Sequence, residues 1–408
     1  MADAARLAEL SEVILSASWA EGQRRGAGYA YTRPSPSRYP WQWYWDSCFA
    51  AISWRRFDAG RSRDELETLL RAMRDDGFIG HVVFWDRPIS LKRRLYYNVA
   101  SRASEMTGTI QPPLLAWAWR IAIGDPREEP RIARHHAWLR ANRDLEGDGL
   151  LWLVQPDESG LDSSPKFDPV WGYRSHANWG FPLLVAHNRR LGWDARRVRD
   201  RGGPVLCEVM TNVLWGLALL AHGEPSITPA LVDRLWDEER GLFLDEVEPG
   251  GARPAISTWA ALSPLALPDL PEEIGRRLVE EHLLDERRYW LPIPPSSVAA
   301  EEPSFEPNRG PGWKKRYWRG PTWVNAAWLL GLGLTRLGYA AQASEMADRL
   351  GHVVLREGLR EYYDPYTGEG LGATEFAWTS LICELADPDP RATDSYVDLS
   401  GRATSRTG

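Results

Sequence analysis

A chain of 408 residues with 43% hydrophobic and 26% charged residues has the composition of a soluble globular protein. The net charge of −7 and the pI near 5.7 argue against nucleic acid or an anionic membrane surface as a partner. Three widely spaced cysteines and the absence of any signal-peptide or membrane-spanning apolar run predict a cytoplasmic protein.

Helical periodicity recurs along the chain and predicts about twelve helices. Some segments, such as 112–124 (PPLLAWAWRIAIG) and 323–334 (WVNAAWLLGLGL), are apolar nearly all round, as buried helices are. Others, such as 131–145 (RIARHHAWLRANRDL), are amphipathic and indicate an outer layer. The predicted helices are 4–19, 46–57, 62–73, 112–123, 131–145, 178–191, 208–222, 229–238, 271–283, 322–337, 340–357 and 374–385.

Alternating inner and outer helices predict an all-α fold, an (α/α)6 barrel built as a closed toroid of six helix pairs. The alternative is an open α-solenoid, but no fixed repeat of 30–45 residues is found. No linker or low-complexity run divides the chain, so residues 1–390 are predicted to be a single catalytic domain and 391–408 a flexible tail. Long non-helical stretches are commonly functional, and here they are 78–111, 149–177, 285–319 and 360–373.

The stretch PWQWYWDSCF (40–49) surrounds Asp46 with five aromatic rings, part of a total of 22 tryptophans. A buried carboxylate is costly unless it is paired or hydrogen-bonded. Asp46 is therefore at a surface, in a polar network or in contact with a ligand. Of the neighbouring rings, Trp43 and Trp45 are predicted to face a pocket and Trp41 the core.

Two acidic motifs lie in the long loops. QPDESGLDSSP (155–165) follows the apolar run LLWLV, and a glycine between its carboxylates allows a tight turn that aims both inward. LREYYDPYTGEG (359–370) places Glu361 just before a turn. The ordinary interpretation of either motif is a solvated loop. The calcium-loop pattern of an EF-hand is not met, so no metal is expected.

Two carboxylates flanked by aromatic platforms are what a glycosidase needs, because one acts as an acid and the other activates water or attacks the sugar. Two further motifs begin helices, QPP (111–113) and YWRGPTW (317–323). In the second, Arg319 either serves the pocket or pairs with an acid to brace the barrel.

In this order, the motifs WYWDSCF, QPP, ESGLD, YWRGPTW and REYYDPYTGEG resemble those of glycoside hydrolase family 63, which is related to the trehalases, and within it the mannosylglycerate and glucosylglycerate hydrolases. The resemblance runs from 39 to 378. It implies an inverting α-glycosidase with Asp162 as general acid and Glu361 as general base, Asp162 being kept protonated by burial and nearby carboxylates. It also implies that a set of motif residues lines the sugar pocket: Tyr39, Trp45, Asp46, Gln111, Tyr317, Trp318 and Trp323.

Family members commonly carry an aromatic residue just before ESG, whereas this chain has Asp157, which leaves the sugar open between mannose and glucose. The substrate's glycerate carboxylate needs a cation, and Arg174 in WGYRSHANW is favoured because a guanidinium suits a carboxylate. Loops 87–97 and 303–316 are predicted to close over the substrate. The basic residues in the long loops are rivals of Arg174, namely Arg87, Lys92, Arg93, Lys314, Lys315 and Arg316.

Rival functions remain on the same toroid. A sugar epimerase or isomerase would be expected to rely on histidines, but no inward-facing pair is predicted, and His135–His136 is interpreted as a solvated helix face. Another family 63 α-glucosidase substrate and a non-catalytic sugar-binding role are further alternatives. No cofactor is expected, and the expected partner is a small glycoside with a carboxylate aglycone.

Overall fold

The computed structural model describes residues 2–24, 26–85, 106–176, 179–307 and 317–388. Several sequence-based predictions lie outside these ranges: the tail 391–408, loop 87–97 and most of loop 303–316, and with them the six rival basic residues named above.

The chain is mainly helical, with short strands. Its helices are α1 (Ala4–Ser18), α2 (Tyr44–Trp54), α3 (Ala59–Arg71), α4 (Leu115–Ala122), α5 (Pro130–Arg143), α6 (Asp168–Trp171), α7 (Phe181–Arg190), α8 (Ala195–Asp200), α9 (Val209–His222), α10 (Thr228–Leu235), α11 (Glu272–Arg277), α12 (Val324–Arg336), α13 (Ala340–Glu357) and α14 (Ile382–Ala386). Helical turns of other pitch occur at Pro126–Glu128, Pro156–Ser159, Pro165–Phe167, Gly172–Arg174, Trp259–Ala266, Leu278–Leu283 and Ala377–Leu381.

Six inner helices form a closed ring. In order they are α2, α4, α9, Trp259–Ala266, α12 and Ala377–Leu381, and each packs on the next, the last returning to α2. Helix α9 shows why such segments lie inside, since all its residues except the last are buried. The closed ring confirms the (α/α)6 barrel over the open solenoid.

The outer layer consists of α1, α3, α5, α10, the segment 272–283 and α13. Helix α13 is amphipathic and buries one stripe, including Met346, Leu350 and Val354, against the ring. The twelve barrel segments observed differ from the twelve helices predicted in one segment. The 178–191 helix exists as α7 but packs beside Gly172–Arg174, and the ring instead uses Trp259–Ala266. Pro264 interrupts helical hydrogen bonding there, which hid the segment from a search for periodicity.

The strands form small antiparallel sheets that connect the helices. They are β1 (Trp19–Arg24), β2 (Ala27–Thr32), β3 (Gln42–Trp43), β4 (Val82–Val83), β5 (Trp152–Leu153), β6 (Val205–Cys207), β7 (Trp236–Asp237), β8 (Leu242–Phe243), β9 (Glu246–Glu248), β10 (Arg360–Tyr363) and β11 (Gly370–Thr374). Their pairing is β1-β2, β3-β4, β5-β6-β9, β7-β8 and β10-β11. Within the described ranges, no helix combines the length and apolarity that crossing a bilayer requires.

Candidate active site

An open cavity of about 700 Å³, counting the space at its mouth, lies where several inner helices begin. Most of its wall comes from the residues that precede or open α2, α4, α12 and Ala377–Leu381, together with the turn that follows β5. The lining residues are Pro34, Tyr39, Trp43, Trp45, Asp46, His81, Gln111, Asp157, Gly160, Asp162, His176, Tyr317, Phe376 and Trp378.

The start of α2 forms one wall. Trp43 precedes this helix without a side-chain cap, so other segments accept the first backbone N–H groups: His81 O from Tyr44 (3.0 Å) and Gln111 Oε1 from Trp45 (3.0 Å). Asp46 lies in the first turn, where the helix dipole favours a negative charge. Burial nevertheless raises its pKa well above the usual value, and the charges of Glu361, Glu65 and Asp162 add to this.

The ESG motif holds the turn that carries Asp162. Glu158 is fully buried and accepts two hydrogen bonds from Arg143 (2.6 and 2.7 Å) and one from Val154 N (2.8 Å). Gly160 follows at φ 73°, and a Cβ atom there would lie 2.6 Å from the Trp45 ring. Glu158 therefore anchors the turn, and glycine allows it to pack on Trp45 while Asp162 faces the cavity.

Asp162 is the more exposed of the two predicted catalytic carboxyls, with 24% of its side chain accessible. His176 Nε2 lies 3.7 Å from Asp162 Oδ2 and also lines the cavity. Asp157 lies nearby, and burial raises its pKa to about 8, with a further contribution from the charge of Asp162. The acidic turn therefore brings two carboxyls and an imidazole to one side of the cavity.

Glu361 is on β10 and its side chain is fully buried. Tyr39 donates its hydroxyl to Oε1 (3.0 Å), Ala373 N donates to Oε2 (2.7 Å), and Arg38 Nη1 lies 3.8 Å from Oε2. Gly372 is opposite on β11 at φ 72°, and a Cβ atom there would lie 2.5 Å from Oε2. The hairpin thus provides a close-fitting seat for this carboxylate.

Asp162 and Glu361 are 199 residues apart in the sequence, yet the charges of both affect the pKa values of the same side chains. Burial raises the pKa of Tyr317 well above its usual value, and the charges of Glu361, Tyr39 and Asp162 add to it. The same two carboxylates raise the pKa of Asp46. The ring closure therefore places Asp162 in the cavity lining and Glu361 directly behind that lining, in contact with Tyr39.

Seven of the eleven predicted site residues line the cavity: Asp162, Tyr39, Trp43, Trp45, Asp46, Gln111 and Tyr317. Glu361 lies behind Tyr39. Trp318 and Trp323 stack on each other with ring centroids 3.8 Å apart, and they form a second layer behind Trp45 and Tyr317. These two tryptophans support the cavity wall and are not part of the lining.

Arg174 is exposed, in the turn Gly172–Arg174. Its Nε donates to the hydroxyl of Tyr173 (3.0 Å), and it is not among the lining residues. The motif that contains it does reach the cavity, but through His176. Arg319 pairs with Asp168 (2.6 Å), which agrees with its bracing interpretation.

The histidine predictions need correction. His135 and His136 are buried, not solvated: His135 contacts Tyr44 Oη (3.1 Å) and Gly77 O (2.9 Å), and His136 pairs with Glu224 (2.6 Å). Both histidines lie on the same buried face of α5 as Ile132 and Leu139, and the opposite face of the helix is exposed. The pair therefore faces inward and not toward solvent. His81 and His176 both line the cavity, so an inward pair does exist. His81 is a poor acid, since burial lowers its pKa to about 3.

Metal-ligand spacing occurs at one place in the described ranges. His136, His222 and Glu224 bring their ligand atoms within 4.8 Å of one another. Arg140 also bonds Glu224, so that carboxylate already has a cationic partner. This group lies outside the cavity lining.

Sequence reasoning missed several lining residues, notably His81, His176, Phe376 and Trp378. Signals for some of them existed. His81 lies in a long loop that was predicted to be functional. Trp378 opens the last ring helix, and its ring contacts Trp45 edge-on at 5.1 Å.

Residues 39–223 and 218–379 match the model of the mannosylglycerate hydrolase MGH1-like glycoside hydrolase domain. The chain belongs to this family. It is 31% identical to the mannosylglycerate hydrolase of Thermus thermophilus over 88% of this chain and 97% of that protein. It is 26% identical to the glucosylglycerate hydrolase of Mycolicibacterium hassiacum, over 86% of this chain and 92% of that protein.

Among solved structures, the chain is similar to a family 63 mannosylglycerate hydrolase of Thermus thermophilus in complex with Tris and D-glycerate. The TM-score is 0.76 at 28% identity, covering 93% of this chain and 99% of the other. Membership in this family confirms the resemblance deduced from five short motifs. The protein is a glycoside hydrolase with an (α/α)6 barrel.

Proposed function

We propose that the protein hydrolyses 2-O-α-mannosylglycerate or its glucosyl counterpart, with inversion at the anomeric carbon. One observation carries the mechanism: a partly exposed carboxyl lines the cavity beside other acids, and a buried carboxylate with two hydrogen-bond donors lies directly behind the cavity wall at Tyr39. The relatives' names support the substrate class.

In this mechanism Asp162 donates its proton to the glycosidic oxygen as the bond from C1 to that oxygen breaks. Glu361 accepts a proton from water as the water oxygen bonds to C1 from the opposite face. Both Glu361 oxygens accept hydrogen bonds in the structure, as an ionised base requires. The crowding of Asp46 and Asp157 near Asp162 favours retention of a proton in this cluster.

The sugar is proposed to lie against Trp43 and Trp45, with its hydroxyl groups on Asp46, Gln111 and the two tyrosines, Tyr39 and Tyr317. Tryptophan offers an apolar face for the ring, and the polar side chains fix its orientation. Trp318 and Trp323 keep this wall rigid from behind.

Arg174 stays a candidate for the carboxylate of the aglycone. The variant Arg174→Ala decides it: a strong rise in KM for the glycerate glycoside, with little change for a neutral aryl glycoside, assigns the contact. Equal changes on both substrates exclude it.

The decisive experiment is incubation with both glycerate glycosides, followed by assay of free glycerate and by proton NMR of the first sugar released. We expect glycerate release with the β-anomer formed first. Initial release of the α-anomer would exclude an inverting mechanism, and a sugar interconverted without glycerate release would indicate the epimerase alternative.

We also propose that residues 1–390 work as one catalytic domain. Helix α1 packs against Ala377–Leu381 and α14, which joins the two ends of the described chain. The cytoplasmic location stays a prediction from the sequence.

A further inference from the structure

Asp157 is held by a buried polar relay that the reaction described above does not use. Gln155 Nε2 donates to Asp157 Oδ1 (2.6 Å), and Gln155 Oε1 accepts from Asn188 Nδ2 (3.1 Å) and Trp193 Nε1 (3.2 Å). Two N–H donors at Oε1 fix the amide orientation, because the reversed amide would face donor with donor. The amide of Gln155 is therefore committed to donating toward Asp157.

The far end of this relay has an unusual backbone. Trp193 adopts φ 54°, a left-handed conformation that bulky side chains rarely take. In this conformation its ring lies against Gly108, where a Cβ atom would come within 2.3 Å of the indole, and its N–H reaches Gln155. A strained tryptophan, a close-packed glycine and two buried amides are thus arranged around one carboxyl group.

That carboxyl group lines the sugar cavity. We propose that Asp157 is a specificity-determining residue whose carboxyl, positioned by Gln155, makes a hydrogen bond to one hydroxyl group of the bound sugar. This inference rests on the proposed function, because it names a contact within the same substrate site.

The chemistry of the group suits a hydroxyl ligand. Burial raises the pKa of Asp157 to about 8, so the carboxyl keeps its proton in the neutral range. A protonated carboxyl can donate a hydrogen bond to a sugar hydroxyl, whereas an ionised aspartate can only accept one.

The test compares wild type with Asp157→Leu on the glycerate glycoside that wild type hydrolyses best and on its monodeoxy derivatives. Wild type should lose about 10-fold or more in kcat/KM at one deoxy position, where the partner of Asp157 is missing. The Leu variant should be slower on the parent substrate yet lose almost nothing further at that same position. Equal fold-losses for wild type and variant at every position would overturn the contact.

Further variants separate contact from structure. Asp157→Asn retains a donor and an acceptor, so it should restore part of the selectivity lost in Asp157→Leu, and it keeps the test valid if the Leu variant folds poorly. Trp193→Phe removes one relay donor and should weaken discrimination at the same deoxy position. Trp236→Phe is the matched control, because it removes an indole donor on β7 to Glu238 (2.6 Å), outside the cavity lining, and it should change nothing.

The two hypotheses fail in different ways. Wild type that hydrolyses no glycerate glycoside contradicts the proposed function, and the same deoxy comparison is then made on an aryl α-glycoside that it does hydrolyse. Hydrolysis of the glycerate glycoside with unaltered deoxy selectivity in the Leu and Asn variants contradicts the role of Asp157 alone.

Discussion

The two sides of the cavity hold their carboxyls in different ways. Glu361 lies on a hairpin, fully buried, with a donor on each oxygen. Asp162 lies in an irregular turn anchored through Glu158, with about a quarter of its side chain (24%) exposed. A general base must direct one water molecule at one carbon, so a rigid position favours its role. A general acid must regain a proton in every turnover, so contact with solvent favours its role.

The prediction with the largest expected effect distinguishes the acid on one side from the base on the other by their response to the leaving group. Asp162→Asn and Glu361→Gln should each lower kcat on the glycerate glycoside by about 10²–10⁴-fold. On an aryl glycoside whose leaving group departs without protonation, Asp162→Asn should regain most of its rate and Glu361→Gln should not. Steady-state kinetics on both substrates measure this difference.

Glu357→Gln is the control for this pair, because Glu357 accepts from Gly370 N on the same hairpin but is outside the cavity lining. It should keep near-normal kcat. If the aryl substrate instead rescued Glu361→Gln and not Asp162→Asn, the two roles would have to be exchanged.

The close fit of the base side predicts the next effect. In Gly372→Ala the new methyl group meets Glu361 Oε2, so the carboxylate must shift, and a misplacement near 1 Å costs about 10² in rate. We expect kcat to fall by about that factor while KM changes little.

Gly338→Ala is the matched control for backbone strain. Gly338 also has positive φ (89°), but a Cβ atom there meets nothing within 4 Å. It should lower the thermal unfolding temperature without lowering kcat. A similar loss of kcat in both variants would mean that strain, and not displacement of Glu361, is responsible.

Much of the fold could be predicted because ring helices such as α9 and α12 are largely apolar over 14 and 13 residues. The exception is instructive: Trp259–Ala266 has the same length as α4 but contains Pro264, so its place in the ring depends on tertiary packing and not on periodicity. Similarly, α5 buries a single face, but that face includes the polar residues His135, His136 and Arg143. A search for apolar periodicity counts such residues as solvent-facing, although His136 is buried against Glu224.

The cavity lining was predictable where neighbouring residues of one motif enter it together, as Trp45 and Asp46 do. It was less predictable where one residue of a motif had to be chosen. WGYRSHANW suggested Arg174, but backbone direction decides that His176 reaches the cavity. The relay from Trp193 to Asp157 joins distant residues through side-chain geometry, which spacing in the sequence does not encode.

A smaller effect on kcat is expected when the hydrogen-bond donor to the general base is removed. Tyr39→Phe removes the hydroxyl that donates to Glu361 Oε1 and leaves the ring packed on Trp43. A lost hydrogen bond to a charged group corresponds to about 1.5–3 kcal/mol, so kcat should fall roughly 10- to 100-fold. Tyr363→Phe is the control: its hydroxyl donates to Gly358 O (2.6 Å) on the same hairpin, and its loss should reduce stability with kcat unchanged. Equal kcat losses would contradict a specific role for Tyr39.

The smallest expected effect is on the pH dependence of the stability of the folded protein. Asp157 faces Asp162, Glu158 and Gln155, and its pKa is raised to about 8 in the folded protein from an ordinary value near 3.8. Below about pH 4 it is protonated in both states. As pH rises toward 8 the unfolded chain ionises while the folded protein still holds the proton, so the contribution of Asp157 to stability is progressively lost.

Asparagine cannot ionise, so Asp157→Asn should gain stability relative to wild type as pH rises from 4 to 8, by on the order of a few kcal/mol at most. The quantity to measure is the difference in thermal unfolding temperature between variant and wild type at each pH. Using the difference removes the contribution of other groups, including Glu65, whose pKa burial also raises to about 8. A difference that stays constant across this range would mean that Asp157 is ionised in the folded protein, and its carboxyl could then only accept a hydrogen bond from the sugar.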